Sequence, residues 1–254
     1  MLDRREFLTG VGAGALGAAL VGVVPAAMAQ DAAKKDGGGK GGGPENIPEP
    51  KRLDEIRLKP LKPALLQGTN GISAKTHQNH YKLYENYVKN SNALLKKLTD
   101  GGIDKPADMR EVKLNLSFQL NGAKNHAIYF DQLGGAGGAP EGRMLKYLER
   151  DFGGVEKWTA DLKATALGAR GWVWLAYDFT TNRLINFIGD AQNEYPIWDA
   201  APILALDMYE HAFWADFGTD KPAYLEAYLK SLDWPNVAAR LDVELKAANV
   251  TSVD

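Results

Sequence analysis

The chain reads as α+β, with an N-terminal helical hairpin followed by a C-terminal lobe that holds a small three-stranded antiparallel sheet and further helices. Three observations predict this. Two long helical stretches are separated by Gly101-Gly102, an alternating aromatic and aliphatic run follows in Gly171-Trp172-Val173-Trp174-Leu175-Ala176-Tyr177, and the last 35 residues return to a helical pattern. Ser73 is an expected N-cap for a first helix running through His80 to about residue 98, where the paired glycines stop it. A second helix is expected over 109–133, ended by Gly134, Gly135, Gly137 and Gly138, and the two make an antiparallel hairpin. Shorter helices are expected over 140–152 and 155–167. The run at 171–177, a turn at Thr181-Asn182 and the run at 183–188 form a β-hairpin. Residues 202–206 are a third strand that delivers Asp207 at its end, Pro222 opens a later helix, and Trp234-Pro235 breaks the final helical run.

Ahead of this folded part the character differs. Asp3-Arg4-Arg5-Glu6-Phe7-Leu8, an apolar run to about residue 24 and the small residues Ala27-Met28-Ala29 read as a twin-arginine signal peptide over 1–29. The expected route is the twin-arginine export machinery, and the expected destination is periplasmic or extracellular. Residues 30–57, with Gly37-Gly38-Gly39-Lys40-Gly41-Gly42-Gly43, have almost nothing apolar to bury and read as a Gly/Pro-rich tether. The hairpin lobe then covers 58–138 and the second lobe 139–254. With no cysteine, neither disulfides nor a lipidated cysteine is available, so stability must come from core burial. A formal net charge of −2 excludes the basic footprint of a nucleic-acid binder.

The chemistry is concentrated in Asp207-Met208-Tyr209-Glu210-His211-Ala212-Phe213-Trp214, where a carboxylate and an imidazole stand four residues apart, the spacing that places two side chains on one helical face. The chain has only four histidines, and His80 and His126 lie in the two expected long helices, so three helices can converge on one ion. Three neutral imidazoles and one carboxylate offset the desolvation of a cation, leave room for solvent and suit iron or manganese. No thiolate is present to select Cu(I), and no cluster of carboxylates to select Ca²⁺. On these residues alone, a mononuclear non-haem iron oxygenase using two histidines and a carboxylate, or a helical interaction module without metal, stays open.

Together with Asn125-His126, this segment resembles the signature of the iron/manganese superoxide dismutases, which reads Asp, any residue, Trp, Glu, His, Ala, Tyr. The resemblance runs from about residue 58 to 241. It includes Leu61-Lys62-Pro63-Ala64-Leu65, Ile72-Ser73-Ala74 upstream of His80, Asn121-Gly122, Gly171-Trp172-Val173-Trp174-Leu175, Lys221-Pro222-Ala223-Tyr224-Leu225 and Trp234-Pro235-Asn236-Val237. It implies that His80, His126, Asp207 and His211 are the ligands of one Mn or Fe, which disproportionates superoxide anion into dioxygen and hydrogen peroxide. His77 is set aside because the Ile72-Ser73-Ala74 offset fits His80, and it is expected to be a solvent-exposed helix residue. Gln192 falls where the family has a Gln that hydrogen-bonds metal-bound solvent, while Gly122 holds the alternative position used by iron enzymes, an arrangement that leans towards manganese. Tyr84 stands where the family has a channel His. Tyr87 is displaced by one residue from the gateway Tyr, so a strict alignment puts Val88 there, although a helix returns to the same face seven residues after His80. Trp214 replaces the Tyr that pairs with the channel His, and Tyr209 replaces a Trp. Glu210 keeps the place of a Glu that contacts a partner's ligand His, so a homodimer or dimer of dimers is expected, with its interface near Glu210 and Trp214. Lys82 and Lys221 are candidates for steering the anion. The changed channel residues motivate one alternative, a catalytically altered metal-binding protein on the same fold.

Overall fold

The computed structural model describes residues 55–247; the expected signal peptide and nearly all of the expected tether lie outside them. Helix α1 (Ala74–Asp100) begins where expected, with the Ser73 hydroxyl accepting from the Thr76 N–H at 3.1 Å, and stops at Gly101, whose φ of 77° ends the helix. Helix α2 (Pro106–Asp131) starts three residues earlier than expected, because Pro106 occupies a first-turn position where no N–H is needed. The two helices pack along their length as a hairpin and are joined at the surface by Asn90 donating to Gln119. The rings of Tyr84, Tyr129 and Phe130 join the buried core from this hairpin.

Helices α3 (Gly142–Phe152) and α4 (Val155–Gly168) lead into strands β1 (Trp172–Asp178), β2 (Arg183–Gly189) and β3 (Ala200–Asp207). The sheet is antiparallel with order β2-β1-β3. Every residue of β1 is buried, as its apolar composition and central place require. Strand β3 is an edge, which lets it carry Pro202 opposite the irregularity at Leu175/Ala176. It begins earlier than expected and ends with Asp207 paired to Trp172, and the Met208 N–H adds a last bond to the Gly171 carbonyl at 2.7 Å. Helices α5 (Glu210–Phe217), α6 (Lys221–Lys230) and α7 (Trp234–Ala247) follow, α6 and α7 each opening near a proline. Contacts of α2 with β3 and of α1 with α5 place the hairpin against the strand-to-helix corner that carries the acidic and imidazole side chains. No helix among the described residues is long and apolar enough to cross a membrane.

Candidate metal centre

The four side chains singled out in the sequence meet. One donor atom from each of His80, His126, Asp207 and His211 lies within 4.8 Å of all the others. They come from the second turn of α1, the C-terminal part of α2, the end of β3 and the first turn of α5. The expectation that Asp207 and His211 share one helical face is therefore corrected. Asp207 is the last strand residue, Tyr209 is the extended N-cap, and the pair closes across that corner with His211 Nε2 at 3.0 Å from Asp207 Oδ2.

The carboxylate divides its work. Its Oδ1 accepts from the Tyr209 N–H at 2.9 Å, which turns Oδ2 towards the imidazoles, 3.1 Å from His80 Nε2 and 3.9 Å from His126 Nε2. His126 donates Nδ1–H to the Gly122 carbonyl at 2.7 Å, and this sets the tautomer that leaves Nε2 as a lone pair facing the cluster. Both ring nitrogens of His80 and Nε2 of His126 are buried without hydrogen-bond geometry to any partner. A buried imidazole lone pair left without a partner costs about 1–3 kcal/mol unless something coordinates it, and His80 and His126 each bring one, so the donor set fits a single cation.

Protonation favours ligation too. Burial pushes the pKa of His80 down, and burial together with His80 pushes that of His126 down to about 3, so both imidazoles stay neutral. Burial alone would raise Asp207, but His211 and His80 outweigh it and hold the carboxyl well below its ordinary range. His211 is the accessible member, its side chain 31% exposed, with Tyr209 stacked over it at 5.4 Å; Asp207 outweighs burial and raises its pKa. Rings close the rest: Tyr129 and Phe130 lie 4.7 and 5.1 Å from His80, and Tyr87 and Trp172 lie 5.0 and 5.1 Å from His126.

Tyr87, rather than Val88, faces the cluster, since Val88 is buried in the core. Gly122 makes room for it: a Cβ there would lie 2.4 Å from a Tyr87 ring carbon. Gln192 is buried behind Tyr87. Its Oε1 accepts from Trp172 Nε1 at 3.0 Å and from Asn125 Nδ2 at 3.4 Å, and its side chain also hydrogen-bonds the Tyr87 hydroxyl. Trp174 Nε1 donates to Asn125 Oδ1 at 3.3 Å, completing a chain of polar contacts. Asn125, Trp172 and Trp174 stood in the motifs, but nothing local gave them this supporting part. The Tyr84 ring stacks parallel to His126 at 6.5 Å, while its hydroxyl accepts from the Lys59 N–H at 3.3 Å. His77 is not solvent-exposed as expected. It is fully buried, its Nε2 sits 2.9 Å from Thr69 Oγ1, and burial, then His80, lowers its pKa to about 4 against the pull of Asp216.

Fold and cluster together define an α+β protein that can hold one transition-metal ion on three imidazoles and one carboxylate. The family description "Iron/manganese superoxide dismutases, C-terminal domain" matches residues 140–240. The chain is similar to the iron superoxide dismutase of Aquifex aeolicus, 33% identical over 196 residues that cover 74% of this chain and 91% of that protein. It is also similar to the iron superoxide dismutase of Cupriavidus metallidurans, 34% identical over 200 residues covering 72% of this chain and 94% of that protein. Superoxide dismutase [Mn] 1 of Halobacterium salinarum is 35% identical over 118 residues, 46% of this chain and 59% of that protein. The chain belongs to the iron/manganese superoxide dismutase family.

Proposed function

We propose that the protein dismutates superoxide at one Fe or Mn held by His80, His126, Asp207 and His211. The observation that carries this reading is the convergence of those four donors, with the metal-facing nitrogen of His126 left as an unpartnered lone pair. Bound iron or manganese would supply the one-electron couple that turns two superoxide anions and two protons into dioxygen and hydrogen peroxide. The chain's own residues do the rest. Gln192 and Tyr87 form a hydrogen-bonded pair beside His126, and Asn125 and Trp172 fix the amide of Gln192 so that its donor end meets the Tyr87 hydroxyl. Tyr87 has its pKa raised by burial and then by Asp207, which keeps it a proton donor at neutral pH. The Gln192 position leans towards manganese, whereas the relatives that cover most of the chain carry iron in their names.

Exposed Glu210 and Trp214, next to the accessible His211, support a homodimer closed over this corner. Asp3-Arg4-Arg5 supports export by the twin-arginine route, which fractionation of expressing cells tests directly. Tyr84 favours the second reading, a protein that binds the ion without turnover, because its hydroxyl is taken up by Lys59 rather than offered to the cluster. Reconstitution of metal-stripped protein with iron and with manganese, followed by a superoxide assay, separates the two. Dismutation with at least one metal supports the enzyme; full metal content without dismutation overturns it.

A further inference from the structure

On the far side of Gln192 from the ligand cluster lies a cavity of about 220 Å³, walled by Trp174, Phe187 and Trp198 and bordered by Glu194 and Asp199. Three features distinguish it from a surface dimple. Its aromatic walls are built in, since Trp174 and Phe187 pack at 5.1 Å with their planes 30° apart. Trp198 stands 86% exposed over it, an indole with no packing role of its own. The rim loop holds Tyr195 and Asp199 at φ of 57° and 61°, conformations that non-glycine residues adopt at a cost.

The charge pattern states what fits. No lysine or arginine lines the cavity, and neither Glu194 nor Asp199 has a cationic partner among the described residues. Indole and phenyl faces carry negative potential, and two unpaired carboxylates add to it, while the remaining lining offers carboxamides and apolar carbon. An anion is repelled, and a neutral ligand gains no charge attraction from the carboxylates. We propose that this cavity binds a small organic ammonium ion, a trimethylammonium or related alkylammonium group lying against Trp198 and Trp174 with Glu194 and Asp199 as counter-charges. The cavity shares Asn125, Gln192 and Trp174 with the polar chain beside the metal centre but is lined by none of the four ligand residues, and binding there does not depend on whether the metal centre turns over superoxide.

The test is calorimetric titration of the full metal-loaded protein with choline, with tetramethylammonium and with 3,3-dimethylbutan-1-ol, the neutral isostere of choline. Choline and tetramethylammonium are expected to bind, with the neutral isostere about tenfold weaker. Trp198→Ala, at an exposed position that leaves folding intact, is expected to weaken choline binding about tenfold, and Trp198→Phe only about threefold. Glu194→Gln combined with Asp199→Asn is expected to weaken it about threefold and to flatten its dependence on salt. Binding of the isostere as tightly as choline, no heat with either cation, or unchanged binding by Trp198→Ala would each overturn the proposal. Because heat of binding is read rather than turnover, failure here leaves the dismutase reading untouched.

Discussion

The helical hairpin and the strand-to-helix corner each contribute two donors, and they hold them by opposite means. In the corner, Asp207 and His211 bond to one another and Asp207 is locked by the Tyr209 N–H, so the pair is satisfied by protein alone. In the hairpin, His80 and His126 are wedged among Tyr129, Phe130, Tyr87 and Trp172 with their cluster-facing nitrogens unpaired. Packing therefore aims the hairpin donors at a position where only an ion satisfies them. The corner brings the negative charge that makes such an ion stable, and metal binding should stabilise the hairpin more than the corner.

The largest expected effect comes from the atom common to both halves. Asp207→Ala removes the one carboxylate oxygen that approaches all three imidazoles, and bound metal and dismutation should both fall to background by elemental analysis and assay. His211→Ala, on the exposed side, should leave more residual metal than His126→Ala; equal losses would erase the distinction between the halves. Gln192→Ala should keep the ion but lower turnover about 10- to 100-fold, because the hydrogen-bonded support of Tyr87 is lost while no donor is.

Stability gives a smaller break. Gly122→Ala places a methyl group against the Tyr87 ring and should cost about 1–3 kcal/mol, seen as a lower Tm together with a shift in turnover. His77 offers a pH test. Folded His77 stays neutral down to about pH 4, while in the unfolded chain it takes up a proton below its ordinary pKa of 6.5. Its contribution is thus complete above pH 6.5 and is lost as pH falls towards 4, by up to about 3 kcal/mol. His77→Gln should show a shallower loss of Tm across that window. The smallest effect is expected at Lys221, partly buried with its Nζ 5.9 Å from the Phe213 ring. Lys221→Ala should reduce the ionic-strength dependence of kcat/KM by a modest fraction, and an unchanged salt slope would remove it from anion steering.

The two halves also differed in how far they could be read from sequence. The hairpin was legible because a capping Ser73, long uninterrupted helical stretches and glycine stops are local signals, and a histidine in each helix was conspicuous among only four. The corner was only half legible. An Asp and a His four residues apart fit a helical turn and a strand-cap-helix junction equally well, and only the pairing of Asp207 with Trp172 across the sheet decides between them. His77 was misread for a related reason. Its neighbours Gln78 and Asn79 are exposed, whereas its cover comes from Thr69 in a preceding loop and Asp216 at the far end of the chain. The contacts joining Asn125, Gln192, Trp172 and Trp174 likewise span up to 67 residues, beyond any local pattern.

The convergence of four side chains on one ion is tested most directly by anomalous diffraction from metal-loaded crystals at the iron and manganese edges. The expected result is a single peak in bonding contact with His80, His126, Asp207 and His211. A peak elsewhere, or one bound by the corner pair without the hairpin histidines, would contradict it.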